Sequence, residues 1–362
     1  MGPPPPPNGG PKVLHIVPRL FGRQGAYGGA ERYALELAKA MSTLTPTRLV
    51  AFAPLAEKLR LDNLDVRVER QRWSVAGRAH DPVNLAFVRH CLWADVIHCH
   101  QFRSTFCAVA TILGRIARKR VFVTDHGGGG SNLVRRLRIG RWIDAQLSQS
   151  EFAARSMPYI GRRVEIIYAG VDHERYRPTA PKERGQVIYL GRLLPHKGVE
   201  HLIEAIPDDG SLKIVGRAMD ADYTHFLREL ASGREVEFHT SASDEQVIDL
   251  LSSSQCLVLP SVYKDYRGRR QALPELVGLV LLEAMACGTA VVCTSAGGMP
   301  EVVRDGKTGF VVEPGSAEAM RSVITRFLSD PELAGTMGQN ARDEVLGRFT
   351  WKGIAQKCLS LY

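Results

Sequence analysis

From residue 12 onward, short apolar runs and amphipathic stretches take turns along the chain. The runs KVLHIV, RLVAFA, DVIHCH, RVFVTDHG and VEIIYAG are rich in β-branched residues and predict buried strands. Between several of them lie helix-like segments such as STFCAVATILGRIARK, and the helix after the first strand places Ala30, Ala34, Leu37, Ala38 and Met41 on one face. The stretch ERYRPTAPKERGQ (residues 174–186) is polar and Pro-containing and predicts a linker. The alternation then restarts with VIYLG, SLKIVG, EVEFHT, CLVLP, TAVVCT and GFVVE as strands, and FTWKGIAQKCLSLY reads as a helix added after the second core is complete. Two runs of strand–helix alternation predict an α/β protein with two doubly wound parallel sheets, each covered by helices on both faces. The expected organisation is a flexible Pro/Gly-rich arm over residues 1–11, an N-terminal domain over 12–175, a second domain over 176–346 and a closing helix over 347–362. Ligands of such sheets bind beyond the carboxyl ends of the strands, and nearly every unusual loop here follows a predicted strand.

Composition narrows the class. A chain of 362 residues, 44% hydrophobic and 23% charged, is long enough for two globular domains. The net charge of +9 is uneven: residues 1–180 hold 27 Lys+Arg against 14 Asp+Glu, and the remainder holds 20 against 24. The basic half suits an acidic partner, with a solvated basic surface as the plain alternative. The seven cysteines form no C-x-x-C pair and sit mostly in apolar surroundings, as free thiols of a reducing compartment do. With no apolar run long enough to cross a bilayer, the expectation is a cytoplasmic protein, with the inner face of a membrane as its one candidate surface. An aromatic content of 7% and the lack of a recognisable motif argue against nucleic acid.

The loops that could carry chemistry centre on PELVGLVLLEAMACG, residues 274–288. Glu275 and Glu283 are separated by seven residues, with Gly278 between them at the start of a short apolar helix. A helix N-terminus there, at Gly278, Leu279 and Val280, offers unpaired N–H groups to an anion. Glu283, inside an apolar helix, needs a polar partner; a ligand hydroxyl pair and an internal arginine both satisfy that need. Arg192 and Lys197 flank the loop after VIYLG and suit a diphosphate. His126 follows a strand end and precedes four glycines, and could bond a sugar hydroxyl, although a structural role serves the spacing equally. The Gly-rich stretch 22–31, with Gly25, Gly28, Gly29 and Glu31, lets backbone approach a ligand but is not the dinucleotide fingerprint. Gly306-Lys307-Thr308 lacks the first glycine of a P-loop, and Asp220-Ala221-Asp222 reads as a helix cap. His98 and His100 share one face of a strand with no third ligand in view, so no metal is expected.

Together these residues resemble family 4 retaining glycosyltransferases of the GT-B fold. The resemblance is carried by the Glu275/Glu283 pair, by GRLLPHKG and by EAMACGTAVVCTSAGGMPEVVRDGKTGFVVEPG in the second half, and by GGAERYALELAKAM, TDHG and YAGVDHERYRP in the first. It covers nearly the whole chain after the arm. The resemblance implies transfer of a hexose-type sugar from a nucleotide-diphosphate sugar, with a UDP-sugar favoured over a GDP-sugar and no metal cofactor. Glu283 would hold the ribose, Glu275 and His126 the sugar, and Arg192 and Lys197 the departing diphosphate. Backbone at Gly28, Gly29 and Gly278 to Val280 would face phosphate or sugar. Ala242, within residues 240–244, would lie beside the base, and the closing helix would cross back to the N-terminal domain. Departures are mild: Ala169 stands where Asn is usual, Val277 where Phe or Leu is, and Ala290 where Pro is. The alternatives are a hydrolase or phosphorylase of the same fold, or a non-catalytic nucleotide-sugar-binding protein. The acceptor is unidentified, with lipid-linked and phosphorylated compounds as candidates. Clusters at Arg115, Arg118, Lys119 and Arg120, and at Arg135, Arg136, Arg138 and Arg141, fit weak contact with anionic lipid.

Overall fold

The computed structural model describes residues 9–19, 28–75, 81–127, 131–158 and 160–362. Residues 1–8 of the expected arm therefore lie outside the described residues, as do Gly25 and three of the four glycines after His126. The chain divides into two compact units, Met1–Gly170 with Trp351–Tyr362, and Val171–Thr350.

The first unit is built on an eight-stranded sheet. Its strands are β1 (Val13–Ile16), β2 (Thr47–Ala53), β3 (Glu57–Leu61), β4 (Leu64–Arg70), β7 (Val96–His100), β8 (Arg120–Thr124), β9 (Ala145–Ser148) and β10 (Val164–Ile166), in the order β10-β9-β8-β7-β1-β2-β4-β3. Only β3 pairs antiparallel, at the edge, and β5 (Trp73–Ser74) with β6 (Pro82–Val83) makes a separate ribbon. β1, β7 and β9 are buried along their whole length, as strands covered on both faces must be.

Side chains alternate across the sheet. Leu14, Ile16, Ile97, Cys99, Val121 and Val123 point into a core that includes α2 (Val88–Trp93), α3 (Thr105–Ile116) and α4 (Leu133–Arg136). The residues between them, His15, His98, His100, Phe122 and Thr124, therefore face the other way. On that side α1 (Gly29–Ser42) packs against α12 (Trp351–Leu361), the last helix of the chain. Trp351 meets Tyr33 edge-on, and Gly170 lies so close to the Trp351 backbone that a Cβ there would collide. α5 (Glu151–Ser156) follows β9 and is capped by Ser150.

The second unit carries a six-stranded, all-parallel sheet of β11 (Gln186–Leu190), β12 (Ser211–Val215), β13 (Val236–His239), β14 (Cys256–Leu259), β15 (Ala290–Thr294) and β16 (Gly309–Val312), ordered β13-β12-β11-β14-β15-β16. The strand order turns back between β11 and β14, the position at which open α/β sheets take ligands. Its helices are α6 (Val199–Ala205), α7 (Ala221–Leu230), α8 (Asp244–Ser253), α9 (Leu279–Ala286), α10 (Ala317–Ser329) and α11 (Pro331–Arg348). Asp220 caps α7 through the Tyr223 N–H at 2.9 Å, which is the helix-cap role its sequence context suggested. Ser243 and Gln246 close a reciprocal capping box on α8.

Residues 174–186 do not behave as a free linker. They lie within the second unit and are strapped to it: Arg175 pairs with Asp244 at 2.5 Å, Thr179 bonds Asp249 at 2.9 Å, and Lys182 Nζ donates to Thr289 Oγ1 at 2.6 Å. Buried Tyr176 anchors the strap, so its prolines direct a packed course over the domain surface.

Candidate active site

The second unit brings Lys197 and Glu275 together. Lys197 ends the 3-10 turn Pro195–Lys197 after β11, and Gly198 then takes a left-handed conformation that starts α6. Lys197 Nζ forms an ion pair with Glu275 Oε1, with the two side chains only 10% and 15% exposed. Ser261 Oγ donates to the same oxygen at 3.3 Å. Arg192, one residue past Gly191, is exposed, and its carbonyl accepts the hydroxyl of buried Tyr189 at 3.0 Å. Burial, and secondly the carboxylate of Glu275, hold that phenol well above its usual range. His196 is lowered to about 4, first by burial and then by neighbouring Lys197.

Two glycines fix the loop that carries Glu275. Gly278, the N-cap of α9, has φ +78°, where an L side chain is strained. It turns the chain so that the first N–H groups of α9, at Leu279 and Val280, precede any intrahelical acceptor. Gly297 has φ +69°, and a Cβ there would collide with the Glu275 carbonyl. Its N–H donates to Tyr263 Oη at 2.9 Å, and the Gly298 N–H donates to the Glu275 carbonyl at 3.1 Å. The Gly297-Gly298 turn is the buttress of the Glu275 loop. Glu283, one helical stretch further on, is 4% exposed inside α9. Ala242 is half-buried in the loop that follows β13, directly ahead of the α8 cap.

The basic segment 263–274 is fastened rather than loose. Arg269 pairs with Asp265 at 2.9 Å, Arg267 reaches Asp220 at 3.5 Å, and Tyr266 stacks on Phe226 with ring centroids 4.8 Å apart.

In the first unit, Gly28 and Gly29 start α1, and the Glu31 carboxylate sits where a Cβ on Gly28 would go. His126 follows β8, partly exposed, between Gln149 Nε2 on its Nδ1 and His100 Nδ1, 3.4 Å from its Nε2. The expectation that His98 and His100 have no third imidazole beside them is corrected here. His15 stands directly across from His98 in the β1–β7 register, and His15, His98 and His100 offer nitrogens within 4.8 Å of one another. A single-strand reading shows only residues of one strand; the third comes from a neighbour 83 residues away. His98 has both nitrogens engaged, Nδ1 with Tyr362 Oη at 2.6 Å and Nε2 with Thr124 Oγ1 at 2.8 Å. A metal at this cluster would have to displace one of those hydroxyls. Burial holds His15 down to about 3 and His98 and His100 well below the ordinary imidazole value, so all three are neutral at physiological pH. Asp125, next to His126, is raised by burial to about 6.

A family model described as "Glycosyl transferases group 1" matches residues 171–344, and one described as "Glycosyltransferase Family 4" matches residues 27–175. A GDP-mannose-dependent alpha-(1-6)-phosphatidylinositol monomannoside mannosyltransferase of Mycolicibacterium smegmatis is 31% identical over 282 residues, 68% of this chain and 71% of that protein. The chain belongs to glycosyltransferase family 4. An alpha-maltose-1-phosphate synthase of Mycobacterium tuberculosis is 32% identical over 228 residues, 55% of this chain, and the match spans only 56% of that relative's length. Among solved structures, Anabaena Alr3699/HepE in complex with UDP and glucose matches with a TM-score of 0.74 at 21% identity, covering 97% of this chain and 98% of that one. The two α/β units thus have the GT-B fold of this glycosyltransferase family. Among the described residues no helix is long and apolar enough to cross a membrane.

Proposed function

We propose that the chain transfers a hexose from a nucleotide-diphosphate sugar, with retention of anomeric configuration and without a divalent metal. The observation that carries this reading is the Lys197–Glu275 pair, largely shielded from water, in the same unit as the left-handed N-cap of α9. A diphosphate arriving there competes with Glu275 for the lysine. Lys197 then follows the phosphate, and the carboxylate it leaves accepts hydroxyls of the sugar. Arg192 and the N–H groups of Leu279 and Val280 add fixed positive charge where the leaving group gains negative charge. Those cations are why no metal is required in this reading. Glu283 is assigned the ribose, Ala242 and its loop the base, Gly28 and Gly29 a backbone contact, and His126 a hydroxyl of the transferred sugar.

Two donors lead the test. The Anabaena structure holds UDP and glucose, and the Mycolicibacterium relative uses GDP-mannose by name. A thermal-shift screen of UDP- and GDP-hexoses, followed by NMR of the product's anomeric proton, tests donor and stereochemistry together. Turnover should survive EDTA. A chain that releases nucleoside diphosphate only when a divalent cation is added would overturn the metal-free part. Release to water alone, with every acceptor ignored, would favour the hydrolase alternative.

The acceptor is proposed to lie on or near an anionic lipid surface. Leu92 on α2, Ile116 on α3 and Leu137 after α4 are 58%, 75% and 54% exposed, on consecutive helical segments that cover one face of the first sheet. Exposed Arg115, Arg118, Arg135, Arg136 and Arg138 accompany them. Exposed aliphatic groups with arginines near them in sequence suit an interface of acyl chains and phosphates. Co-sedimentation with vesicles should rise with their anionic fraction; equal binding to neutral vesicles would refute it.

A further inference from the structure

Three imidazoles of the first unit make one continuous hydrogen-bonded row. His15 Nδ1 is 2.9 Å from His100 Nε2, and His100 Nδ1 is 3.4 Å from His126 Nε2. Successive ring planes are inclined by only 24° and 15°. The centroid separations, 5.2 and 5.7 Å, exceed the corresponding N···N distances by 2.3 Å in both pairs. The rings therefore meet nitrogen to nitrogen, nearly in one plane. His126 continues the row to Gln149, and Tyr33 closes on the His126 ring edge-on at 5.2 Å.

A neutral imidazole has one N–H and one lone pair. In such a row each ring's proton decides the next, so only two arrangements keep every link. In the first, Gln149 donates to His126 Nδ1, His126 Nε2–H to His100, and His100 Nε2–H to His15; an N–H is left on His15 Nε2. In the second, every proton sits on Nδ1, the Gln149 amide is turned over so that its oxygen takes the place of Nε2 and accepts from His126 Nδ1–H, and His15 Nε2 keeps a lone pair. Among the described residues, His15 Nε2 is buried with no partner. A buried N–H without an acceptor is the rarer and costlier of the two orphans, so the second arrangement is favoured.

We infer that His15 and His100 are positioning residues: the row they form sets the proton of His126 on Nδ1 and its lone pair on Nε2, where a hydroxyl of the transferred sugar takes over from the His100 N–H as donor. The inference rests on the proposed transferase reading for that last step. The long link to His100, 3.4 Å, is the one that a hydroxyl donor can share or replace. His98 stands beside the row, 4.3 Å from His100 between centroids, but its nitrogens serve Tyr362 and Thr124 and it passes nothing along.

The test begins without substrate. In protein labelled with 15N-histidine, long-range proton–nitrogen spectra should show His126, assigned by its loss in His126→Gln, as the Nδ1–H tautomer. His15→Phe, which never touches His126, should convert that signal to a mixture, and His100→Phe should do the same. Where His15→Phe fails to fold, His15→Leu, which likewise offers no N–H to His100, gives the same readout. In transfer assays the folded variants should lose about tenfold in kcat with donor KM unchanged, the pattern of an interaction expressed in the transition state. His126 shifts identical in wild type and a folded His15 variant overturn the row. Shifts of His15, His98 and His100 that move together on adding a chelator also overturn it, since they would report a bound metal. Absence of transfer by the wild type from any donor overturns the transferase reading instead, and leaves the tautomer measurement standing as the test of the row.

Discussion

Cutting the Lys197–Glu275 pair from either side should cost both stability and turnover, and cutting both sides should return only the stability. The two side chains are largely shielded from water, so screening does little for them. Breaking a buried pair by removing one partner costs about 3–5 kcal/mol, because the other charge is left uncompensated. Lys197→Met leaves Glu275 with the Ser261 hydroxyl at 3.3 Å, which places its cost at the low end, about 3 kcal/mol. Glu275→Gln leaves Lys197 facing a neutral amide and should cost about as much. In Lys197→Met/Glu275→Gln no charge is stranded, so the double variant should be more stable than the sum of the singles by about 1–3 kcal/mol. Activity should not follow. On the proposed function, loss of the lysine removes charge stabilisation of the leaving group, worth roughly 10²–10³ in kcat for a well-placed donor, and the double variant restores none of it. Urea unfolding of the four proteins gives the coupling, and donor turnover gives the rest. Additive stabilities within about 0.5 kcal/mol, or a double variant that regains turnover, would refute the reasoning.

Three further outcomes follow from the same structure. Gly278→Ala forces an L residue to φ +78° and sets its Cβ 2.9 Å from Leu281 Cδ1; it should cost about 1–2 kcal/mol and remove the thermal shift given by donor. Below pH 6.5 the first unit should lose stability, because His15, lowered from 6.5 to about 3 in the folded chain, takes up its proton more readily when unfolded. Its contribution is full above the unfolded value and falls by about 1.4 kcal/mol per pH unit below it, so the pH dependence of urea unfolding between 7 and 5 should flatten in His15→Phe. Tyr362→Phe removes the hydroxyl 2.6 Å from buried His98 Nδ1, which should destabilise that unit by about 1–2 kcal/mol, and an unchanged melting temperature would speak against the contact.

Much of this molecule is legible in the sequence, for identifiable reasons. The all-parallel strands are buried on both faces, so VIYLG or TAVVCT stand out as apolar runs. β3 and β4 do not stand out because β3 forms the open edge with β4 next to it, and EKLRL and LDVRVER alternate with charges. The corner around Glu275 was legible because its parts are local: a glycine, a short apolar helix and two carboxylates within one stretch. The Lys197 partner came from a loop 78 residues away and was grouped with Glu275 only through the family resemblance. His15 was missed as a partner of His98 and His100, and Tyr362 as a partner of His98, because strand register and the return of the last helix set those neighbours. The strap over 174–186 reads as a linker because its composition is polar, while the burial of Tyr176 and the hydrogen bonds of Thr179 to α8 are tertiary.

The central claim is that the second unit holds a nucleotide-diphosphate sugar through Glu275, Glu283 and Lys197. The direct measurement is the thermal shift that UDP-glucose and GDP-mannose give to the wild type, to Glu283→Ala and to Lys197→Met. One donor at a hundred times its Kd should stabilise the wild type by about 2.7 kcal/mol, with the shift abolished in both variants. No shift from any nucleotide sugar, or a shift of equal size in Glu283→Ala and Lys197→Met, would contradict it.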